Sequence, residues 1–327
     1  MSGIRILIHT ICLFLLPVFV ALFGISTPLT LALIVLFLLW RWLITLSTLT
    51  APAKYPQLEL ETISASHFVE KVRWCMDRLG LEYVEKPCGG TLGAFFLGRT
   101  VPLLKFRSGA VRSSIGNSSE ILRYLFGRYS AELGERAQFL AADCERLELE
   151  KKIDRCGADL QVWVYYHILP HRDLSLHVWG IHNTAIPIWQ RCLLKLLFPL
   201  LRFLIRQAFR ISKAHHDKAV EHIDTLLFEI DSSLEDGRKS ILGGEQINYT
   251  DLSFAAIMAL WLQPDAYGGG KAESVRIERS ALPPAMRGEI ERWSERYPRS
   301  ARFIETLYRT ERMNPGSSGD GVDESSY

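Results

Sequence analysis

Residues 57–84 constrain the fold more than any other stretch of the chain. From Gln57 to Ile63, Leu58, Leu60 and Thr62 alternate with Glu59 and Glu61, the two-residue repeat of a strand. Ser64 and Ser66 interrupt that repeat. Val69, Val72, Met76 and Leu79 then recur at three- and four-residue steps until Gly80, as a helix and its stop signal do. Leu81 to Val84 reads as the next strand. A strand, turn, helix and strand in so short a span predict a parallel pair joined by a right-handed crossover.

Upstream, the chain is apolar. Residues 6–25 interrupt their apolar run only with His9, Thr10 and Pro17, and a second run spans residues 29–46. Each approaches the roughly 20 residues that cross a hydrocarbon core. Ser26-Thr27-Pro28 separates them, which predicts a hairpin of two membrane spans over residues 1–50. A cleaved signal peptide is the competing reading, but its apolar stretch runs to only about 7–15 residues. Arg5, Arg41 and Lys54 lie outside an uncharged turn, with Trp40 and Trp42 at the interface, so the positive-inside bias places both ends in the cytoplasm. Residues 51–56 then form a linker to the soluble part.

Net charge is +2 with 23% charged residues, and the signs are interspersed, so nothing here has the footprint of a nucleic-acid binder. The six cysteines show neither a CxxC pair nor metal-ligand spacing and read as unpaired thiols; no metal is assigned from them.

Further along, Thr100 to Phe106 reads as a strand with Pro102 at its start, either at a sheet edge or with a special role. A short hairpin around Ser108-Gly109 leads to Val111. Asn117-Ser118-Ser119 precede the apolar positions Ile121, Leu122 and Leu125, marking a helix start whose free N–H groups favour an anion, unless those residues serve only as caps. From Ala131 the signals are helical, ending one long pattern at Pro170. Trp163-Val164-Tyr165-Tyr166-His167 reads first as ordinary core, though it is aromatic enough to line an apolar pocket facing the first module. Between Ile188 and Arg210 a basic stripe (Arg191, Lys195, Arg202, Arg206, Arg210) runs along a broadly apolar helix that Pro199 would kink, a composition suited to a bilayer headgroup region or to a domain helix with solvated cations. Asn248 with Asp251 three residues later forms a capping-box variant, with Ile247 and Leu252 as a staple. Residues 290–312 read as two helices broken at Tyr297-Pro298, and 313–327, rich in Gly, Ser and Asp, as a disordered tail.

Taken together, residues 57–312 resemble the glutathione S-transferases, of the bacterial type but with serine at the active-site position. The matches are Ser66-His67-Phe68-Val69-Glu70-Lys71 at the strand-to-helix turn, Val101-Pro102, the Asn117 to Leu125 segment, the Asn248 capping box and the closing segment from Trp293. The resemblance implies a thioredoxin-like α/β domain over 57–130 and an all-α domain over 131–312, preceded by two transmembrane helices. It implies a catalytic Ser66. Glutathione, as cosubstrate, would be held by Val101 and a cis Pro102 and by Asn117 and Ser118, and a homodimer is compatible with it. The expected function is a membrane-anchored glutathione transferase acting on a lipophilic small molecule, with membrane lipid as a further partner. The absence of Cys at 66 and 69 argues against thiol-disulfide exchange. Asn117 stands where the family has an acid; losing a charge-assisted hydrogen bond of that kind weakens affinity by about 1.5–3 kcal/mol, which leaves a non-catalytic binding or scaffold protein as the alternative.

Overall fold

The computed structural model describes residues 58–89, 101–108 and 111–312, together with Leu92 and ten positions between 28 and 42. Among the described residues no helix is long and apolar enough to cross a membrane. The expected hairpin, the linker 51–56 and the tail 313–327 lie mainly or wholly outside those residues.

Four strands, β1 (Leu58–Thr62), β2 (Tyr83–Pro87), β3 (Leu103–Ser108) and β4 (Val111–Gly116), form one sheet in the order β2-β1-β3-β4. β1 and β2 are parallel, joined by helix α1 (His67–Leu79), and the other two pairings are antiparallel. The crossover unit is therefore present, with β2 beginning two residues later than the sequence pattern suggests. Gly80 stops α1 in the left-handed conformation at φ 69°, and the Leu81 N–H reaches back to the Met76 carbonyl. Only a residue without a Cβ takes that conformation at no cost.

The register brings three loops to one end of the sheet. Glu61 lies opposite Leu103, and Leu103 opposite Gly116. The turn after β1, the approach to β3 and the exit from β4 therefore share that end. Pro102 sits just outside β3, buried, and its bond to Val101 is cis. β3 is an interior strand, and Pro102, lying outside its ladder, is not an edge-strand proline.

Helices follow: α2 (Ser118–Leu133), α3 (Cys144–Ile168), α4 (Arg172–Val178), α5 (Ile188–Leu196), α6 (Phe198–Ala208), α7 (Lys213–Ser233), α8 (Tyr249–Leu262), α9 (Pro284–Arg296) and α10 (Pro298–Leu307). This mixed sheet followed by helices fits the expected α/β thioredoxin-like plus all-α organisation. At the centre is α8, buried along nearly its whole length and packed on α1, α3 and α10. Its capping box is complete: the Asn248 side chain accepts from the Thr250 N–H, and the Asp251 carboxylate accepts from the Asn248 N–H at 2.9 Å. Pro199 divides the expected kinked helix into α5 and α6. Leu194, Phe198, Leu201 and Ile205 face inward into a second apolar cluster with Trp179 and Leu176. Cys75, Cys144, Cys156 and Cys192 are free thiols, as the sequence suggests; Cys12 lies outside the described residues.

Candidate active site

Ser66 is the N-cap of α1, with extended backbone, and its Oγ accepts from the Val69 N–H at 3.4 Å. A hydroxyl offers two acceptor lone pairs and one proton, so capping occupies a lone pair and leaves the O–H available to donate. Ser66 therefore caps the helix and retains its hydrogen-bond donor. Ser64 does not cap; it is buried and accepts a bond from Asn183 Nδ2 at 3.0 Å. Tyr267 donates its hydroxyl to the Ala65 carbonyl at 3.0 Å. The helical domain thus clamps the turn from two sides, through residues far off in sequence that no local pattern marks.

His67 begins α1 and is buried. Its Nε2–H donates to the Gly157 carbonyl at 2.9 Å, and Gly157 must be glycine, since a Cβ there would come within 2.7 Å of the Phe68 ring. Burial holds the imidazole neutral, lowering its pKa to about 4 against the opposing pull of the Gly157 bond. The unfolded chain protonates this histidine near pH 6.5, so its contribution is fully present above that pH and is lost as pH falls toward 4, by about 3 kcal/mol in all. Urea denaturation at pH 7 and 4.5 should therefore show a steeper acid loss in the native chain than in His67→Gln. Equal slopes would remove this assignment.

Against the turn lies a cavity of about 500 Å³. Ser66, Phe68 and Val101 supply one wall, and the helical domain supplies the other through Tyr165, Trp179 and Met286. The surroundings are overwhelmingly apolar. Of the aromatic stretch in α3, Val164 and Tyr165 line the cavity, whereas Trp163 is fully buried core and His167 points elsewhere, so the two readings of that stretch divide residue by residue. Gln161, Gln263 and Arg276 are the polar members of the helical wall, and the buried Gln263 Oε1 has no hydrogen-bond partner. Among the described residues lining the cavity there is no cysteine. Cys75, elsewhere in α1, has its pKa pushed up to about 12 by burial.

Asn117 and Ser118 do not line this cavity. They sit at the start of α2, at the same sheet end as Pro102, with Ser118 buried and Asn117 exposed. Asn117 has φ 71° and ψ 126°, outside the left-handed helical region and strained for any residue with a Cβ, and its side chain accepts from the Ser119 N–H at 3.0 Å. Ser119 is taken by other contacts: it donates to Asp154 at 2.5 Å and accepts from Lys71 at 3.1 Å. The structure thus places Ser66 and Val101 on one cavity, with Pro102, Asn117 and Ser118 along the adjoining sheet end.

No protein-family model and no curated protein matches the chain. Among solved structures it is similar to a glutathione S-transferase of Methylobacterium radiotolerans in complex with glutathione sulfonate, at 15% identity over 82% of this chain and 100% of that one, TM-score 0.46. It is similar to one from Methylobacillus flagellatus with glutathione bound, at 13% identity over 79% and 98%, TM-score 0.46. A third, a glutathione transferase family member from Pseudomonas fluorescens with two glutathione molecules, matches at 15% identity over 80% and 93%, TM-score 0.45.

Proposed function

We propose that the chain is a membrane-anchored glutathione transferase in which Ser66 activates the thiol of bound glutathione for attack on a lipophilic electrophile. The observation that carries this reading is the Ser66 hydroxyl: it caps α1, keeps its proton, and faces an apolar cavity beside a cis Val101-Pro102 bond. A thiol of pKa about 8.5 is mostly protonated at neutral pH, and its thiolate is the nucleophile. An O–H donated to that sulfur, at the positive end of a helix, stabilises the anion and is not consumed. The sulfur then forms a bond to an electrophilic carbon. The displaced electron pair leaves with the leaving group, or stays on the carbon skeleton and takes up a proton from water. The Val101 backbone is assigned to the cysteinyl part of glutathione, and Asn117 and Ser118, at the start of α2, to the γ-glutamyl carboxylate. Calorimetry on the full chain in detergent should show glutathione binding that Ser118→Ala weakens about 10–100-fold, the equivalent of one charge-assisted hydrogen bond. Unchanged affinity in Ser118→Ala would overturn the assignment of these residues.

A second reading, a binding protein without turnover, is favoured by Asn117 where an acid is expected. Glutathione binding without any conjugation would select it.

The membrane part of the proposal draws on the apolar runs 6–25 and 29–46 and on a second surface. The described positions between 28 and 42 are helical, and Leu29, Leu31, Val35 and Leu36 are exposed there. On α5 and α6, Trp189, Leu196, Leu200 and Phe203 are exposed beside the exposed cations Lys195, Arg202 and Arg206. Apolar side chains flanked by cations suit insertion at an anionic headgroup layer, on the cytoplasmic side if the hairpin is oriented by its flanking charges. A chain lacking residues 1–50 should sediment with anionic vesicles, and Leu200→Glu/Phe203→Glu should abolish that. If the truncated chain ignores anionic vesicles, α5 and α6 do not contact the bilayer.

A further inference from the structure

Away from the cavity, three helices bring nitrogen and oxygen ligands to one point. His167 comes from the last turn of α3, His216 from the first turns of α7 and Glu289 from the middle of α9. Glu289 Oε2 lies 3.1 Å from His167 Nε2 and 3.4 Å from His216 Nε2, and the two Nε2 atoms are 3.3 Å apart. The ligand atoms form a nearly equilateral triangle. Around a tetrahedral zinc ion with bonds of about 2.0–2.1 Å, neighbouring ligand atoms stand about 3.3 Å apart. The triangle has the edges of one face of that tetrahedron.

Hydrogen bonding alone leaves at least one edge of this triangle unsatisfied. An ionised carboxylate only accepts, and a ring nitrogen either donates or accepts. If both Nε2 atoms carry protons, two N–H groups oppose one another across 3.3 Å; if only His167 carries one, it serves the His216 lone pair or the Glu289 carboxylate, and His216 Nε2 and Glu289 Oε2 face each other as two acceptors 3.4 Å apart. A cation over the triangle satisfies all three edges together.

The surroundings are those of a supported ligand set. Asp217 Oδ1 is 3.2 Å from His216 Nδ1, so that nitrogen donates outward and turns the Nε2 lone pair inward. Trp163 donates its indole N–H to Glu289 Oε2 at 2.5 Å, and Tyr166 stacks on the His216 ring with centroids 4.1 Å apart. The two histidine side chains are 5% and 7% exposed and the Glu289 side chain 20%, which leaves an open side for a fourth ligand from solvent.

We propose that His167, His216 and Glu289 bind one divalent transition-metal ion of the zinc type, joining α3, α7 and α9. The ion acts as a staple. Its ligands lie next to Ile168 and one turn from Met286, both in the cavity wall, so occupancy fixes the two helices that shape that wall. The ligands come from positions 49 and 122 residues apart, a separation that no spacing motif marks.

The test is a Co²⁺ titration of the full chain, tag-free in detergent and first stripped with a chelator. The expected result is one equivalent bound per chain with the intense visible bands of tetrahedral cobalt, bleached by Zn²⁺. Asp217→Asn should weaken uptake about 10–100-fold, and Glu289→Gln, which preserves size, should weaken it further while its circular dichroism matches the native chain. Zn²⁺ should raise the melting temperature of the native chain and not that of Glu289→Gln. No uptake by the folded native chain, or uptake that Glu289→Gln leaves unchanged, would overturn the proposal and leave the cluster as a hydrogen-bonded hub.

Discussion

Glu70→Ala is expected to destabilise the chain by about 3–5 kcal/mol, because it removes the central anion of a buried ionic network and leaves two buried arginines with one carboxylate partner each. Glu70 is fully buried in the first turns of α1. It accepts from Arg73 Nη1 at 2.9 Å and from Arg312 Nε at 3.0 Å. Arg73, also fully buried, spans to Glu85 on β2 at 2.6 Å, and Arg312 continues to Asp77 at 2.6 Å. The network therefore ties the sheet, the turn-bearing helix and the closing segment of the helical domain to one another. The thermal unfolding midpoint should fall by roughly 6–20 °C at about 2–4 °C per kcal/mol. Lys151→Ala, which breaks a pair whose two side chains are each 70% exposed, should move it by little. Equal effects from the two substitutions would show that the buried network carries no special share of stability.

Ser66→Ala is the second large effect, and it falls on activity. Removing one preorganised donor to a developing anion costs about 10²–10³ in rate. Conjugation by Ser66→Ala should drop by that factor, while stability changes by only about 1 kcal/mol from the lost cap. Ser66→Cys separates the roles further: it restores a donor near the sulfur but introduces a second thiol, so with oxidised glutathione present its thiolate should attack that disulfide, form a mixed disulfide and release one glutathione thiolate. Full conjugation activity in Ser66→Ala would remove the hydroxyl from the mechanism.

What was legible in the sequence was local. The alternation of Leu58, Leu60 and Thr62, the α1 periodicity stopped by Gly80, and the Asn248–Asp251 capping box each depend on residues within a few positions, and each stands as read. Burial was less legible. Glu70, Lys71 and Arg73 look like a solvated charged face, yet all three are fully buried because α1 lies between the sheet and the helical domain. Lys71 is taken up by Glu150 and Asp154, both at 2.8 Å, from α3. Periodicity marks one apolar face; it does not reveal a helix packed on both. The same limit applies to the site. Ser66 and Val101 could be marked from their neighbours, but Asn183 and Tyr267, which hold the turn, reach it from distant segments by single hydrogen bonds. The helix expected over 188–210 is two helices because Pro199 lacks the N–H that a continuous ladder needs at that point.

The central claim is that the turn before α1 holds and activates another molecule's sulfur, and the titration of that sulfur tests it most directly. The ultraviolet absorbance of the thiolate, followed against pH for glutathione bound to the full chain, reports the pKa of the bound thiol. The account predicts a value well below the roughly 8.5 of a free thiol, moving back up in Ser66→Ala. A bound thiol that titrates at the free value in the native chain would contradict it.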